Sequence, residues 1–229
     1  MKILTISLLL LIFHSTPTSA ISCNLTCGIT PALRYTDPFT LLSPNNLLKY
    51  SPSRDVAGNI QAVIEVPAGR TEKWEVDKKD GNLKWNFKEG RPRVLKYIGY
   101  PGNYGMVPRT LLSKESGGDD DPLDIILLGP PLNRGQVVSA KLIGVLKLLD
   151  KGEQDDKLIA VQFNSPLKKT DSIEELDEKF PGITKILELW FTNYKGTGKM
   201  KSNGFGDLEE AERILNEAAE QFEKAASQK

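Results

Sequence analysis

Apolar and polar positions divide the chain into two textures. From Asn59 to Phe163 the pattern is one of short β-like runs separated by turn residues. "IQAVIEVPAG" (60–69) is rich in branched residues and stops at Pro67-Ala68-Gly69. "EKWEVD" (72–77), "VLKYIGY" (94–100), "LDIILLG" (123–129) and "DKLIAVQF" (156–163) have strand length, and "GQVVSAKLIGVLKLLD" (135–150) reads as one long or bent strand. Several short strands punctuated by turns predict a compact barrel or sandwich.

After Phe163 the period changes to that of helices. Asp171 with Glu174 three residues later predicts a capping box opening a helix that stops near Phe180-Pro181. Ile183, Ile186, Leu187, Trp190 and Tyr194 recur at helical spacing. Asp207 and Glu210 predict a second capping box, followed by one apolar stripe through Leu208, Ala211, Leu215, Ala218, Phe222 and Ala225. Such a stripe is a packing face against the β body. Residues 21–58, rich in Pro, Ser, Thr and Asn, read as an extended N-terminal arm, which leaves 59–229 as the folded domain.

The first twenty residues have a separate logic. Lys2 gives a positive start, Ile3 to Phe13 is apolar, and "TPTSA" ends in small residues at Ala20. That is the layout of a secretory signal peptide and predicts export, to a periplasm or out of the cell. Cleavage would remove Lys2 and His14, leaving 29 basic against 30 acidic side chains and no histidine. A near-neutral chain gives no electrostatic pointer to nucleic acid or to a membrane after cleavage. A chain without histidine cannot run Ser-His-Asp or Cys-His chemistry or hold a histidine-ligated zinc. Cys23 and Cys27 sit just past the cleavage point, where an oxidising compartment would allow a small disulfide loop. Asn24-Leu25-Thr26 matches a glycosylation acceptor, relevant only in a eukaryotic host.

Against this background one stretch stands out. "GGDDDPLDIILLG" (117–129) places Asp119, Asp120, Asp121 and Asp124 within six positions at the mouth of an apolar strand. Adjacent carboxylates raise each other's pKa and need a solvated turn, a hard cation or a shared proton. An EF-hand starting at Asp119 does not fit, since Leu123 and Asp124 stand where Asp/Asn and Gly are required. A second cluster, "LLDKGEQDDKL", supplies Asp150, Asp155, Asp156 and Lys157 at another strand end. Two carboxylate clusters without histidine favour Mg²⁺ or Mn²⁺. Lys73, Arg91, Arg93, Lys157, Lys195, Tyr100, Tyr104 and Tyr194 add cations and phenols suited to an anionic ligand. Metal with Lys and Arg is the equipment of phosphoryl chemistry.

These residues resemble a family. "DDDPLD" is similar to the D-x-D-P-x-D signature of family I soluble inorganic pyrophosphatases. "VIEVPAG", "KWE", "RVL", "YPGNYGMVP", "GVLKLLDKGEQDDKLIAV" and "NYKG" resemble its other motifs, in order, over residues 59–200. The resemblance implies an α+β, mainly β fold: a five-stranded OB-like barrel with the C-terminal helices packed outside. It implies a Mg²⁺-dependent hydrolase with several ions per site, acting on pyrophosphate, and a homo-oligomer, dimer or hexamer.

Carried over residue by residue, Asp119, Asp124 and Asp155 would hold two ions that activate water, and Asp150 with Asp155 the ions arriving with substrate. Asp121 would be the general base or would position the bridging water. Glu65 and Glu75 would sit on the rim, acting through water on a metal or on the basic side chains. Lys73, Arg93, Tyr100, Lys157, Tyr194 and Lys195 would grip the two phosphates, and Tyr104 would bond near the nucleophile. Arg93 is preferred to Arg91 because it opens "RVL". Lys151 departs from the pattern, which commonly has Glu after Asp150, and would weaken the loosest ion. The chemistry agrees with the assignment: metal ions lower the pKa of a water and shield phosphate oxygens, while Lys and Arg stabilise the leaving phosphate.

Overall fold

The computed structural model describes residues 33–228. The signal peptide, Cys23, Cys27 and Asn24 expected from the sequence lie outside the described residues. The strands are β1 (Arg34–Asp37), β2 (Thr40–Leu42), β3 (Ile60–Val66), β4 (Trp74–Val76), β5 (Leu83–Trp85), β6 (Phe87–Lys88), β7 (Arg91–Pro92), β8 (Asn103–Met106), β9 (Asp124–Leu128), β10 (Val137–Asp150), β11 (Glu153–Gln154), β12 (Lys157–Val161) and β13 (Met200–Gly206). The α-helices are α1 (Ile173–Lys179), α2 (Ile183–Asn193) and α3 (Leu208–Ser227). Among the described residues no helix is long and apolar enough to cross a membrane.

Five strands close a ring in the order β3–β8–β9–β12–β10, with β10 returning to β3. Closure depends on the length of β10. Its first residues pair with β3, its middle with β12 and its end with β13 and β11. Register shifts at Leu142/Gly144 and Leu146/Leu148 bend it between these partners. The ring is antiparallel except for β9 and β12, which run parallel with Asp124 opposite Lys157. That pair therefore starts at the same rim, and both starting residues are charged.

Alternation explains why β9 and β12 read as continuous apolar runs. Ile125, Leu127, Leu158 and Ala160 pack towards Ala211, Ile214, Leu215 and Ala218 of α3. Ile126, Leu128, Ile159 and Val161 pack towards Leu176 of α1 and Leu187, Trp190 and Phe191 of α2. Burial of both faces removes the polar half of the strand pattern. The α3 cap is as expected: the Asp207 carboxylate accepts the Glu210 N–H at 2.8 Å. The α1 cap is shifted by one residue. Ser172 Oγ accepts the Glu175 N–H at 3.2 Å, while Glu175 accepts the Asp171 N–H at 2.9 Å.

Three local expectations change. Residues 33–58, expected as an arm outside the domain, pack on it. β1 pairs with β2, which pairs with β5, and Leu41, Leu47 and Leu48 are buried with Trp74, Val76 and Leu83. The stretch 94–100 is not a strand, because its amide groups are used by a loop. Leu95 N–H donates to Thr71 O at 2.9 Å, and Tyr100 N–H to Arg70 O at 3.0 Å. Finally, the Gly-containing run 200–206, which lacks an apolar alternation, is strand β13.

Gly105 marks the tightest backbone approach in the ring. A Cβ built there would lie 1.8 Å from the carbonyl oxygen of Val63. Gly105→Ala therefore has to push β8 off β3, and a loss of about 1–3 kcal/mol is expected from overpacking. A thermal melt checks it; an unchanged midpoint would show that the two strands separate freely.

Candidate active site

A cleft of about 560 Å³ opens at the rim where β9 and β12 begin. It is lined by Glu65, Lys73, Glu75, Arg93, Tyr104, Asp119, Asp121, Asp124, Asp150, Asp155, Lys157, Tyr194 and Lys195. These are the residues to which the family resemblance gave a role, with one exception. Tyr100 is buried a layer behind, its ring 4.9 Å from that of Tyr104 and 4.6 Å from that of Trp190. Arg93 faces the cleft, whereas Arg91 is exposed in the β6–β7 hairpin and does not line it. Lys151 lies exposed in the turn after β10, in the left-handed region at φ 54°, and does not line the cleft either.

Pairing explains the placement. Asp124 is held between Met106 of β8 and Lys157 of β12. Its Oδ2 accepts from Tyr104 Oη at 2.6 Å and from Lys157 Nζ at 2.5 Å. Lys157 Nζ also donates to Asp155 Oδ1 at 2.5 Å, so one buried ammonium bridges two carboxylates. Lys195, just past α2, donates to Asp150 Oδ2 at 2.7 Å. On the opposite wall Lys73 lies 3.2 Å from Glu75, whose other oxygen accepts from Asn86 at 2.6 Å. Lys73 also stands over the Tyr104 ring at 4.6 Å. The Arg93 backbone is pinned on both sides: its carbonyl accepts from Lys73 N–H at 3.0 Å and from the Trp85 indole at 2.9 Å.

Burial and charge set the protonation states. Burial pushes the Glu65 carboxyl up to about 8, against the pull of Lys73 and a 2.7 Å hydrogen bond from Val76 N–H. Burial also raises Asp119, and Asp121, Asp124 and Asp155 add to it by like-charge repulsion. Burial opposes ionisation of Asp124 too, but Lys157 and Lys73 outweigh it and hold that carboxyl below its usual range. The same carboxylates keep Lys157 protonated despite full burial.

Among the described residues, no group of three or more His, Cys, Asp or Glu side chains is gathered closely enough to hold an ion as it stands. Lysines are interposed instead: Lys157 on Asp124 and Asp155, Lys195 on Asp150, and Lys78 on Asp121. The donor set nevertheless fits hard divalent cations. The acidic groups lining the cleft are all carboxylates, and Asp150 Oδ1 is buried without a hydrogen-bond partner. Burial and the neighbouring carboxylates raise Asp119 despite the hydrogen bond it accepts from the Asp121 N–H, so an added cation would favour its ionised form.

The model of the inorganic pyrophosphatase family matches residues 62–223. The chain belongs to this family. An inorganic pyrophosphatase of Ralstonia nicotianae is 32% identical over 192 residues, covering 80% of this chain and 100% of the relative. One from Debaryomyces hansenii is 32% identical over 186 residues, covering 72% of this chain and 65% of that longer protein. Among solved structures, the Helicobacter pylori pyrophosphatase superposes with a TM-score of 0.64 at 31% identity, over 76% of this chain and 99% of its own. A Trypanosoma cruzi vacuolar soluble pyrophosphatase, solved in complex with PPi, gives 0.72 at 25% identity, over 82% and 81%. The fold is thus that of the pyrophosphatases, mainly β with a ring of five strands and helices packed outside it.

Sequence reasoning missed several cleft residues. Lys78, Lys79, Lys84 and Asp77 line the cleft from the β4–β5 turn and β5, and Asn86 from just after β5. Only Asn86 and Lys78 touch residues already singled out, and their partners Glu75 and Asp121 are 11 and 43 positions away. Nothing in the local pattern announces either contact.

Proposed function

We infer that this chain is a metal-dependent inorganic diphosphatase that converts pyrophosphate and water into two phosphates. The observation that carries it is convergence. Carboxylates from β9, β10 and the β11–β12 turn meet cations from just before β4, from β12 and from just past α2 in one cleft. Family membership supplies the reaction; the cleft supplies groups of the right charge and placement to perform it.

Asp119, Asp124, Asp150 and Asp155, with Glu65 and Glu75 behind them, are the groups that would hold divalent ions, and Mg²⁺ is the ion their hard oxygen set favours. Such ions supply Lewis-acid charge to the phosphate oxygens and make an attacking water more acidic. Lys73, Arg93, Lys157, Lys195 and Tyr194 orient the two phosphates by charge-assisted bonds. Tyr104 Oη, fixed on Asp124, marks where the nucleophile approaches. A carboxylate oxygen of Asp121 takes the proton of the water as its oxygen bonds phosphorus. The bridging oxygen keeps the electrons of the broken P–O bond and leaves on the second phosphate, its new charge met by Lys and Arg. Tyr100, packed ring to ring with Tyr104, supports that side chain from behind the cleft.

Phosphate release from pyrophosphate by purified protein in Mg²⁺ tests this, with an EDTA blank. No release above the blank would overturn it. Export and self-assembly are also proposed, the first on the layout of residues 1–20 and the second on the family resemblance. Protein from its host should begin near Ile21 and scatter light as more than one chain; an intact Met1 or a monomeric mass would refute the respective point.

A further inference from the structure

Lys78 reaches from the far side of the cleft to Asp120 and Asp121 of the Asp-rich loop. It lies in the turn between β4 and β5, whose own carboxylates are compensated from within. Lys84 Nζ sits 3.1 Å from Asp77 and 2.7 Å from Asp80. Asp77 also accepts the Lys79 N–H at 2.7 Å, and Asp80 the Asn82 N–H at 3.0 Å. Lys78 points the other way. Its Nζ donates to the Asp120 carbonyl at 3.1 Å and forms an ion pair with Asp121.

The loop it grips is held locally in a tight shape. Asp120 adopts a left-handed conformation, φ 62°, with its N–H on Leu112 O at 2.8 Å and its carboxylate on the Lys114 N–H at 3.0 Å. Asp119 Oδ1 accepts the Asp121 N–H at 3.0 Å. The backbone bonds fix where the carboxylates are, but apart from Lys114 on Asp120 they bring no full positive charge. Lys78 supplies it to Asp121 and, through the field, to Asp119. The contact is open to water on both sides, with 53% and 50% side-chain exposure. An ion pair so exposed is worth at most about 1 kcal/mol, so it is easily exchanged.

We propose that Lys78 is a resident counter-cation of the Asp119–Asp121 loop that competes with incoming divalent ions and so sets the metal concentration at which the cleft fills. This rests on the reading of the cleft as the metal site. In the metal-free protein Lys78 neutralises the loop and holds it in its working shape. When an ion arrives, Lys78 gives up Asp121 and stays near as a repelling charge. Its effect is therefore on metal affinity, with the chemistry itself carried by other groups.

The test is a Mn²⁺ titration of purified, chelator-stripped protein, with free Mn²⁺ read by electron paramagnetic resonance. A unit charge roughly 6 Å from a divalent ion in a watery cleft changes affinity by up to about tenfold, and salt reduces this. Lys78→Met and Lys78→Gln, two neutral variants, should each bind Mn²⁺ about three- to tenfold more tightly than wild type. Lys78→Arg, which keeps the charge, should stay within about twofold. Neutral variants that bind equally or more weakly would overturn the proposal, weaker binding meaning that Lys78 only braces the loop. A wild-type protein that takes up no Mn²⁺ would instead overturn the metal-site reading, and this proposal with it.

Discussion

Asp124→Asn is expected to lower kcat by about 10²-fold or more, some 3 kcal/mol of transition-state stabilisation, with the fold intact. The fold should survive because the backbone at 124 is fixed by its neighbours. Met106 and Lys157 pair with it on either side, and Ile125 behind it is fully buried. Asparagine keeps the shape and one acceptor oxygen. Tyr104 Oη and Lys157 Nζ, both donors to Asp124 Oδ2, will draw that oxygen towards themselves. The amide NH₂ is then left facing the cleft, where the aspartate offers a charged oxygen to cations. Charge and orientation are lost together.

The control is Asp120→Asn in the same loop. Asp120 is half exposed, pairs with Lys114 at 3.3 Å, and has a positive φ that asparagine tolerates well. It should lose less than about twofold. Both variants are measured at saturating Mg²⁺ with circular dichroism as the check on folding. Equal losses would reduce the Asp-rich loop to a charged turn and remove the mechanism proposed here.

The contrast between Asp120 and Asp124 also shows what a sequence can and cannot disclose. The apolar runs of β9, β10 and β12 and the stripe of α3 were legible because burial imposes a period, and one residue's face predicts the next. The carboxylates were legible for a related reason: four aspartates abutting a buried strand are costly, so their presence demands compensation. The form of that compensation was not legible. Lys157 is recognisable beside Asp155 in the chain, but its contact with Asp124 depends on the parallel register of β12 on β9. Lys78 sits in an ordinary polar turn, and only folding brings it to Asp121. A Tyr in "YPGNYG" gives no hint of whether its hydroxyl or its ring is the part in use, and the burial of Tyr100 against Tyr104 and Trp190 became visible only in the fold. Residues 33–58 were misread because β1 and β2 are short and their buried residues, Leu41, Leu47 and Leu48, are separated by Pro, Ser and Asn. Their hydrophobic pattern becomes apparent only against Trp74 and Leu83.

Lys157→Met is expected to destabilise the metal-free protein by about 3 kcal/mol, at the lower end of the range for breaking a buried ion pair. Methionine fills nearly the same volume and keeps the apolar stem contacts, so packing loss is small and charge loss dominates. The Lys157 side chain is 2% exposed, while Asp124 and Asp155 retain 24% and 17%, which is why the lower end applies. Without the ammonium, two carboxylates that both bonded it at 2.5 Å face each other across a partly desolvated gap. One of them must then take up a proton or draw in a cation. Urea unfolding in EDTA should show the midpoint lowered with the m-value unchanged. Two further results follow from the cause. Asp155→Asn added to Lys157→Met should cost less than the two changes summed, because the second removes a repulsion that the first created. Saturating Mg²⁺ should restore a large part of the loss, since a divalent ion replaces the missing charge and binds only the folded cleft. If Lys157→Met is as stable as wild type in EDTA, or if Mg²⁺ protects both proteins equally, then Lys157 is not the counter-charge that holds this rim together, and its burial would serve substrate binding alone.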